Sequence, residues 1–156
     1  MLKEQINSDI KEFLKAGKSF EAGVLRLMSA ALGNKEIEKR GKGEDSVLTD
    51  EEIVEVLMKE AKKRKEAAEV YKTGNREDLA EKELKELEVI KKYLPEQASA
   101  EEIEKAVDKA IAATGAVDVK TFGKVMAEVM KELKGKADAG TISEIIKKKL
   151  EMRNEK

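Results

Sequence analysis

The chain of 156 residues contains no cysteine and no histidine. The absence of cysteine excludes disulfides, thiolate nucleophiles and zinc–thiolate sites. The absence of histidine removes the usual general base near neutral pH, the commonest transition-metal ligand and every Ser-His or Cys-His arrangement. We therefore expect no catalytic site within the chain, no bound metal and no cofactor.

Proline, glycine and aromatic residues are also scarce. One proline and ten glycines are too few for a loop-rich β fold, and only 3% of the residues are aromatic. Charged residues make up 42% of the chain, and alanine, leucine, lysine and glutamate dominate. This composition is typical of long solvent-exposed helices and predicts an all-α fold.

Long hydrophobic runs are absent as well. The N-terminus carries charges from its third residue, so it lacks the apolar run of a signal peptide, and no span of about 18 apolar residues follows. The 32 basic and 33 acidic residues nearly balance, so no bulk field attracts the whole chain to nucleic acid or to an anionic membrane. The expected protein is soluble and cytoplasmic, with no membrane partner.

Apolar periodicity separated by capping and breaking residues predicts about seven helices. Thr49 and Glu52 form a capping box that opens a long helix to about Thr73, and the next helix ends before Pro95. These two helices are expected to form a helical hairpin. The charged stretch from Gly33 to Val47 is expected to be a frayed helix end followed by a mobile loop.

A domain boundary is predicted near the only proline, where a cap residue and a change of charge pattern also occur. From Glu96 to Asp118 the chain has six acidic residues and two lysines, whereas from Val119 to Lys149 it has eight lysines and four acidic residues. We predict two helical bundles. Residues 1–95 form an N-terminal domain with the long hairpin, and residues 96–156 form a small three-helix module.

Within this module, a basic turn joins two short helices. Val125, Val129 and Leu133 recur at helical spacing on one apolar face, so the nearby lysines lie off that face. Glycine after a helix favours the left-handed conformation that ends it, and aspartate favours an N-cap. The predicted turn and cap residues are Gly123, Gly135 and Asp138.

The lysines around this turn are the candidate phosphate-binding residues. The N-terminus of the following helix is a further candidate, because its free amides can bind a phosphate. The predicted RNA-binding residues are Lys124, Lys131, Lys134, Lys136, Lys147 and Lys148. With so few aromatic side chains for base stacking, the RNA is expected to be structured and recognised through its backbone.

A second basic patch lies in the long helix and has two open interpretations. It consists of Lys59, Lys62, Lys63, Arg64 and Lys65. It is either a ridge that follows nucleic-acid phosphates or a solvated helix face tied by pairs such as Glu60 with Arg64.

Three ordered segments carry a family resemblance: Gly123 to Met126, Lys134 to Asp138, and Ile142 to Leu150. Together they resemble the YqeY family, and they are similar to the C-terminal tail of the B subunit of the glutamine-dependent aspartyl/glutamyl-tRNA amidotransferase. The resemblance continues upstream through Arg76 to Glu83 and Tyr93 to Gln97, so it covers nearly the whole chain.

The resemblance implies a bacterial protein whose C-terminal module contacts tRNA away from any reaction centre. It implies a non-catalytic helical adaptor related to the amidotransferase tail. Two alternatives stay open: a protein-interaction module that docks a tRNA-handling enzyme, and an accessory factor in carbon–nitrogen ligation with glutamine as the amide donor. Family association is the only indication of enzyme activity.

Overall fold

A computed structural model describes residues 1–116 and 118–154 of the chain. The described residues form seven α-helices and one short 3-10 turn, with no strand, so the all-α prediction is confirmed. The helices are α1 (Leu2–Lys15), α2 (Ser19–Gly41), α3 (Asp50–Thr73), α4 (Glu77–Lys91), α5 (Ala100–Thr114), α6 (Phe122–Leu133) and α7 (Ala139–Asn154). In this part of the chain, no helix combines the length and apolarity needed to cross a bilayer.

The helices separate into two compact units. The first is Met1–Leu94 with α1 to α4, and the second begins at Pro95 and contains α5 to α7. The division lies beside the boundary predicted at residue 95. Each unit has a hydrophobic core of its own, and the two cores share no residue.

In the first unit, α2 packs against α1, α3 and α4, and α3 likewise contacts the other three helices. Helices α3 and α4 form the predicted hairpin and are closely packed along their length. Their turn places Asn75 in the left-handed region, at a φ of 58°. The core consists of Ile6, Val24, Leu25, Met28, Leu32, Leu48, Ile53, Leu57, Val89 and Ile90.

The loop predicted between Gly33 and Val47 is shorter than expected, because α2 continues without a break to Gly41. A lysine near the end of α2 explains the extension. Lys39 is only 9% exposed, and its ammonium donates to the Val47 carbonyl at 3.2 Å and to the Glu52 carboxylate at 3.0 Å. These hydrogen bonds hold the end of α2 against the start of α3. The local glycine content gives no sign of them.

The capping box at the start of α3 is confirmed. The Thr49 hydroxyl accepts from the Glu52 amide at 3.2 Å, and the Glu52 carboxylate accepts from the Thr49 amide at 2.9 Å. Hydrogen bonds from the Thr49 amide and then from Lys39 hold the pKa of Glu52 below its usual value. The carboxylate therefore satisfies the helix end and the buried lysine together.

Replacing Gly23 with alanine should stabilise the protein. Gly23 lies inside α2, where glycine costs about 0.5–1 kcal/mol relative to alanine, and a Cβ there would meet no atom within 4 Å. We expect Gly23→Ala to raise the free energy of unfolding by about that amount in urea denaturation of dilute protein. Gly17 is the control, since it has the same open space but a φ of 74°, so Gly17→Ala should destabilise. Equal effects of the two substitutions would contradict the argument.

In the second unit, α5, α6 and α7 pack on one another as a three-helix module. The Ser99 hydroxyl accepts from the Glu102 amide at 3.2 Å and caps α5. Gly115, at a φ of 65°, ends the same helix. The core consists of Ile103, Ala106, Val107, Ala110, Ile111, Ala116, Val125, Val129, Leu133, Ala137, Ile142, Ile146 and Leu150.

Candidate nucleic-acid interface

The turn between α6 and α7 has the local geometry that its sequence favours. Helix α6 ends at Leu133, and Gly135 follows at a φ of 78°. The Asp138 carboxylate accepts from the Thr141 amide at 3.0 Å and so caps α7. Gly123, predicted among the turn and cap residues, instead lies inside the first turn of α6.

The segment before α5 braces this turn. The Ala98 amide donates to the Lys136 carbonyl at 2.8 Å. The Gln97 side-chain amide donates to the Gly135 carbonyl at 3.0 Å and to the Pro95 carbonyl at 2.8 Å. Sequence reasoning missed Gln97 and Ala98, because nothing in the local pattern links them to residues almost 40 positions away. The brace fixes the direction in which the backbone presents the neighbouring lysines.

Three of the candidate lysines lie together at the braced turn, and we call Lys131, Lys134 and Lys136 the basic corner. All three are exposed. The Lys131 ammonium is 2.8 Å from the Glu128 carboxylate, but both side chains are well exposed. An exposed pair of this kind contributes little, so it is easily exchanged for a phosphate contact.

The other three candidates lie away from the basic corner. Lys124 is in the first turn of α6, at the opposite end of a helix about 18 Å long. The Lys147 ammonium lies 5.7 Å from the centre of the Phe122 ring, which places it at the same end of α6. Lys148 lines a groove between α5 and α7, whose other charged residues are Glu104, Asp108, Lys149 and Arg153.

Two lysines of α5 line a cleft beside the corner. Lys105 and Lys109 line the same cleft of about 510 Å³ as Lys136. Sequence reasoning did not select them, because they belong to a segment with an excess of acidic residues. Glu102 and Glu132 also line the cleft, so its charge is mixed.

The N-terminus of α7 does not offer the free phosphate site that the sequence suggested. The Asp138 carboxylate accepts from the Thr141 amide at 3.0 Å and lies 3.3 Å from the Thr141 hydroxyl. A carboxylate at this position already complements the helix dipole, so it competes with an incoming phosphate. The lysine side chains are therefore the phosphate-binding candidates that remain at the turn.

The family model described as Yqey-like protein matches residues 3–150 of the chain. The chain belongs to the YqeY-like family. The resemblance to the YqeY family is therefore confirmed. A similar protein is an uncharacterized protein of Schizosaccharomyces pombe, 38% identical over 89 residues, which cover 57% of this chain and 71% of that protein.

Two further similar proteins are named Altered inheritance of mitochondria protein 41, mitochondrial. The one from Lachancea thermotolerans is 30% identical over 99 residues, which cover 64% of this chain and 51% of that protein. The one from Vanderwaltozyma polyspora is 31% identical over 106 residues, which cover 67% of this chain and 55% of that protein. This YqeY-like chain thus spans about half the length of these mitochondrial proteins. All three relatives are fungal, and a bacterial source stays a prediction.

The second basic patch of this YqeY-like chain does not contain all five predicted cations. Lys59, Lys62, Lys63 and Lys65 are exposed on α3. Arg64 is not, because its guanidinium is 2.8 Å from the Glu60 carboxylate and 3.2 Å from Glu86 of α4. The pair of Glu60 with Arg64 expected from helical spacing is present, and Arg64 joins the two helices of the hairpin.

Acidic side chains of the YqeY-like chain are numerous but dispersed. Among residues 1–116 and 118–154, no three carboxylates lie close enough together to hold a metal ion. In the same part of the chain, no buried side-chain polar atom lacks a hydrogen-bond partner.

Proposed function

We propose that this YqeY-like protein is a non-catalytic, cytoplasmic helical adaptor that binds structured RNA, such as tRNA, through the basic corner. The observation that supports this is the turn itself, which displays three exposed lysines on a backbone braced by Gln97 and Ala98. Lysine–phosphate attraction supplies affinity that does not depend on sequence. A braced turn loses little conformational freedom on binding, which favours the complex.

Four of the five aromatic side chains are half-buried, and the exposed one, Phe20, belongs to the first unit and not to the module that carries the basic corner. Phe122 is half-buried beneath Lys147, and Tyr93 is half-buried against the first unit's core. Neither ring is presented as a flat platform for an unpaired base, which is how most single-strand readers bind. Backbone contacts to a helical region of RNA match the lysines of the corner better.

We expect purified protein to bind unfractionated tRNA with a strong dependence on salt. If the protein makes roughly four phosphate contacts, affinity should fall about 100-fold between about 50 and about 200 mM salt. The variant Lys131→Glu, Lys134→Glu, Lys136→Glu should bind at least about tenfold more weakly at the lower salt concentration, with a shallower salt dependence. Fluorescence anisotropy measures both quantities.

A matched charge reversal separates the basic corner from net charge. Lys82, Lys85 and Lys92 are exposed on or just after α4, and reversing them changes the net charge by the same amount. This control should keep most of the affinity. Absence of binding at low salt, or equal weakening by the two triple variants, would refute the proposed site. Circular dichroism of each variant establishes that it is folded.

A groove between α5 and α7 favours a second candidate function, the docking of a tRNA-handling enzyme. Ile111 and Ile145 line its floor, and Met152 at its edge is 63% exposed. An adaptor docked on such an enzyme would act as an accessory factor in carbon–nitrogen ligation with glutamine as the amide donor. Binding of a tRNA-handling enzyme that resists salt and is lost in Met152→Glu would favour this function over direct RNA binding.

A further inference from the structure

The exposed face of α2 differs from the exposed faces of α3 and α4. The exposed residues of α4 are all charged, and those of α3 are charged except Val70 and Thr73. Along residues 20–37 of α2, all of which are described, the exposed residues are Phe20, Arg26, Leu27, Ala30, Asn34 and Ile37. Leu27 is 53% exposed and Ile37 is 65% exposed. Charge is depleted in this way at the centres of protein interfaces.

The residues of this face follow the spacing of a coiled-coil seam. Phe20, Gly23, Leu27, Ala30, Asn34 and Ile37 are separated alternately by three and four residues. Such spacing keeps a stripe of side chains facing a second helix along its length. We call these six residues the α2 seam. It runs for about 25 Å at 1.5 Å per residue.

The α2 seam is complementary to itself when a second copy runs in the opposite direction. Pairing about the midpoint of the seam places Phe20 against Ile37 of the other copy at both ends. Leu27 then faces Ala30, so a large side chain meets a small one, and Asn34 faces Gly23. These are the layers of an antiparallel helix pair, in which each copy presents the same surface to the other.

Gly23 supports the close approach of another helix. Glycine inside a helix is unfavourable, and a Cβ at Gly23 would meet no atom of its own chain within 4 Å. Packing within the chain therefore does not require a glycine there. Packing of a second helix on the α2 seam would use the glycine, because the missing side chain leaves room for Asn34 of the other copy.

We propose that two copies of this protein associate through antiparallel packing of their α2 seams. The symmetric order of large and small residues favours a second copy over an unrelated helix. One helix pair of about 25 Å buries less than the roughly 1,200 Å² of a standard stable interface. The dimer is therefore weak and reversible, and forms at micromolar to submillimolar concentrations.

Sedimentation equilibrium of the full chain from about 5 to about 500 µM tests the association, a range chosen for a weak interface. The mean mass should rise from monomer toward dimer across this range. Leu27→Glu places a charge in the seam and should weaken dimerisation at least tenfold. Val70→Glu is the control, because Val70 is 69% exposed on α3 outside the seam, and it should dimerise as the wild type does. A wild-type chain that stays monomeric throughout, or equal dimerisation by Leu27→Glu, would overturn the proposal.

Cysteine cross-linking tests the antiparallel register, since the chain has no cysteine of its own. Phe20→Cys and Ile37→Cys, mixed in equal amounts and mildly oxidised, should form a mixed disulfide dimer. Neither variant alone should form a disulfide dimer readily. In the antiparallel pair, each engineered cysteine lies about 25 Å along the helix from the same cysteine of the other copy. Homodimers formed by either variant alone as fast as the mixed dimer would overturn the register.

Discussion

Arg64→Ala should lower the free energy of unfolding by about 3 kcal/mol. The Arg64 guanidinium pairs with Glu60 at 2.8 Å and with Glu86 at 3.2 Å, and the three side chains are only 11%, 17% and 13% exposed. Removing the arginine takes this partner from the largely buried Glu86 and leaves Glu60 paired with the exposed Lys63. Breaking a buried pair in this way is costlier than never having formed it. Urea denaturation at pH 7, followed by circular dichroism, measures the loss.

Lys63 provides the matched comparison, because it pairs with the same Glu60 carboxylate. Its ammonium is 3.0 Å from Glu60, but its side chain is 70% exposed. Water solvates an exposed ammonium almost as well as the carboxylate does, so Lys63→Ala should cost less than about 0.5 kcal/mol. Similar losses in the two variants would show that burial does not set the strength of this network.

The same network should make stability depend on pH in acid. Burial of Glu60 raises its pKa, but hydrogen bonds from Arg64 and Lys63 outweigh burial and hold the pKa below the ordinary value of 4.5. A carboxyl whose folded pKa is depressed stabilises the protein above its unfolded pKa and loses that contribution as the pH falls through the folded pKa. The difference between wild type and Arg64→Ala should therefore be largest near neutral pH and shrink below about pH 4.5. A constant difference would contradict the assignment.

Ile146→Ala should destabilise the C-terminal module by about 3 kcal/mol. Ile146 is fully buried in a core that α5, α6 and α7 build together. A unit of about 60 residues has little stability to spare, so the loss should unfold much of this module. The first unit has a separate core and should keep its helices. Two-dimensional NMR distinguishes these outcomes, because resonances of residues after Pro95 should collapse selectively.

Ile145 provides the control for Ile146→Ala, because it is also an isoleucine of α7 but is less buried. Ile145→Ala should cost about 1 kcal/mol and leave the module folded. If RNA binding belongs to the basic corner, it should disappear in Ile146→Ala because the corner is no longer assembled, and persist in Ile145→Ala. Retained binding by an unfolded module would indicate that its lysines act without the braced turn.

Several features of the fold follow from short stretches of sequence. Thr49 and Glu52 predicted a capping box, and glycine after Lys134 matched the left-handed end of α6. Each of these depends on hydrogen bonds or torsion angles within a few residues. Local pattern also gave the all-α class and the hairpin of α3 and α4, because apolar periodicity shows which face of a helix is buried.

The extent of α2 and the surroundings of the candidate site were decided by tertiary structure. Lys39 contacts Val47 and Glu52 at the end of α2, and the loop is shorter than local glycine content predicted. Arg64 looked like part of a basic patch, yet its guanidinium lies between α3 and α4. Its neighbours in sequence have the same charge, and only the packing of α4 distinguishes them.

The sequence by itself determined that this is an all-α chain of the YqeY-like family, with lysines grouped around one turn. Tertiary structure decided which of those lysines lie at a braced turn, because Gln97 and Ala98 hold it through hydrogen bonds to Gly135 and Lys136. It also left the α2 seam exposed, because the other helices of the first unit cover the opposite face of α2. Helical spacing shows which residues share a face, whereas only the arrangement of the other helices shows which face is covered.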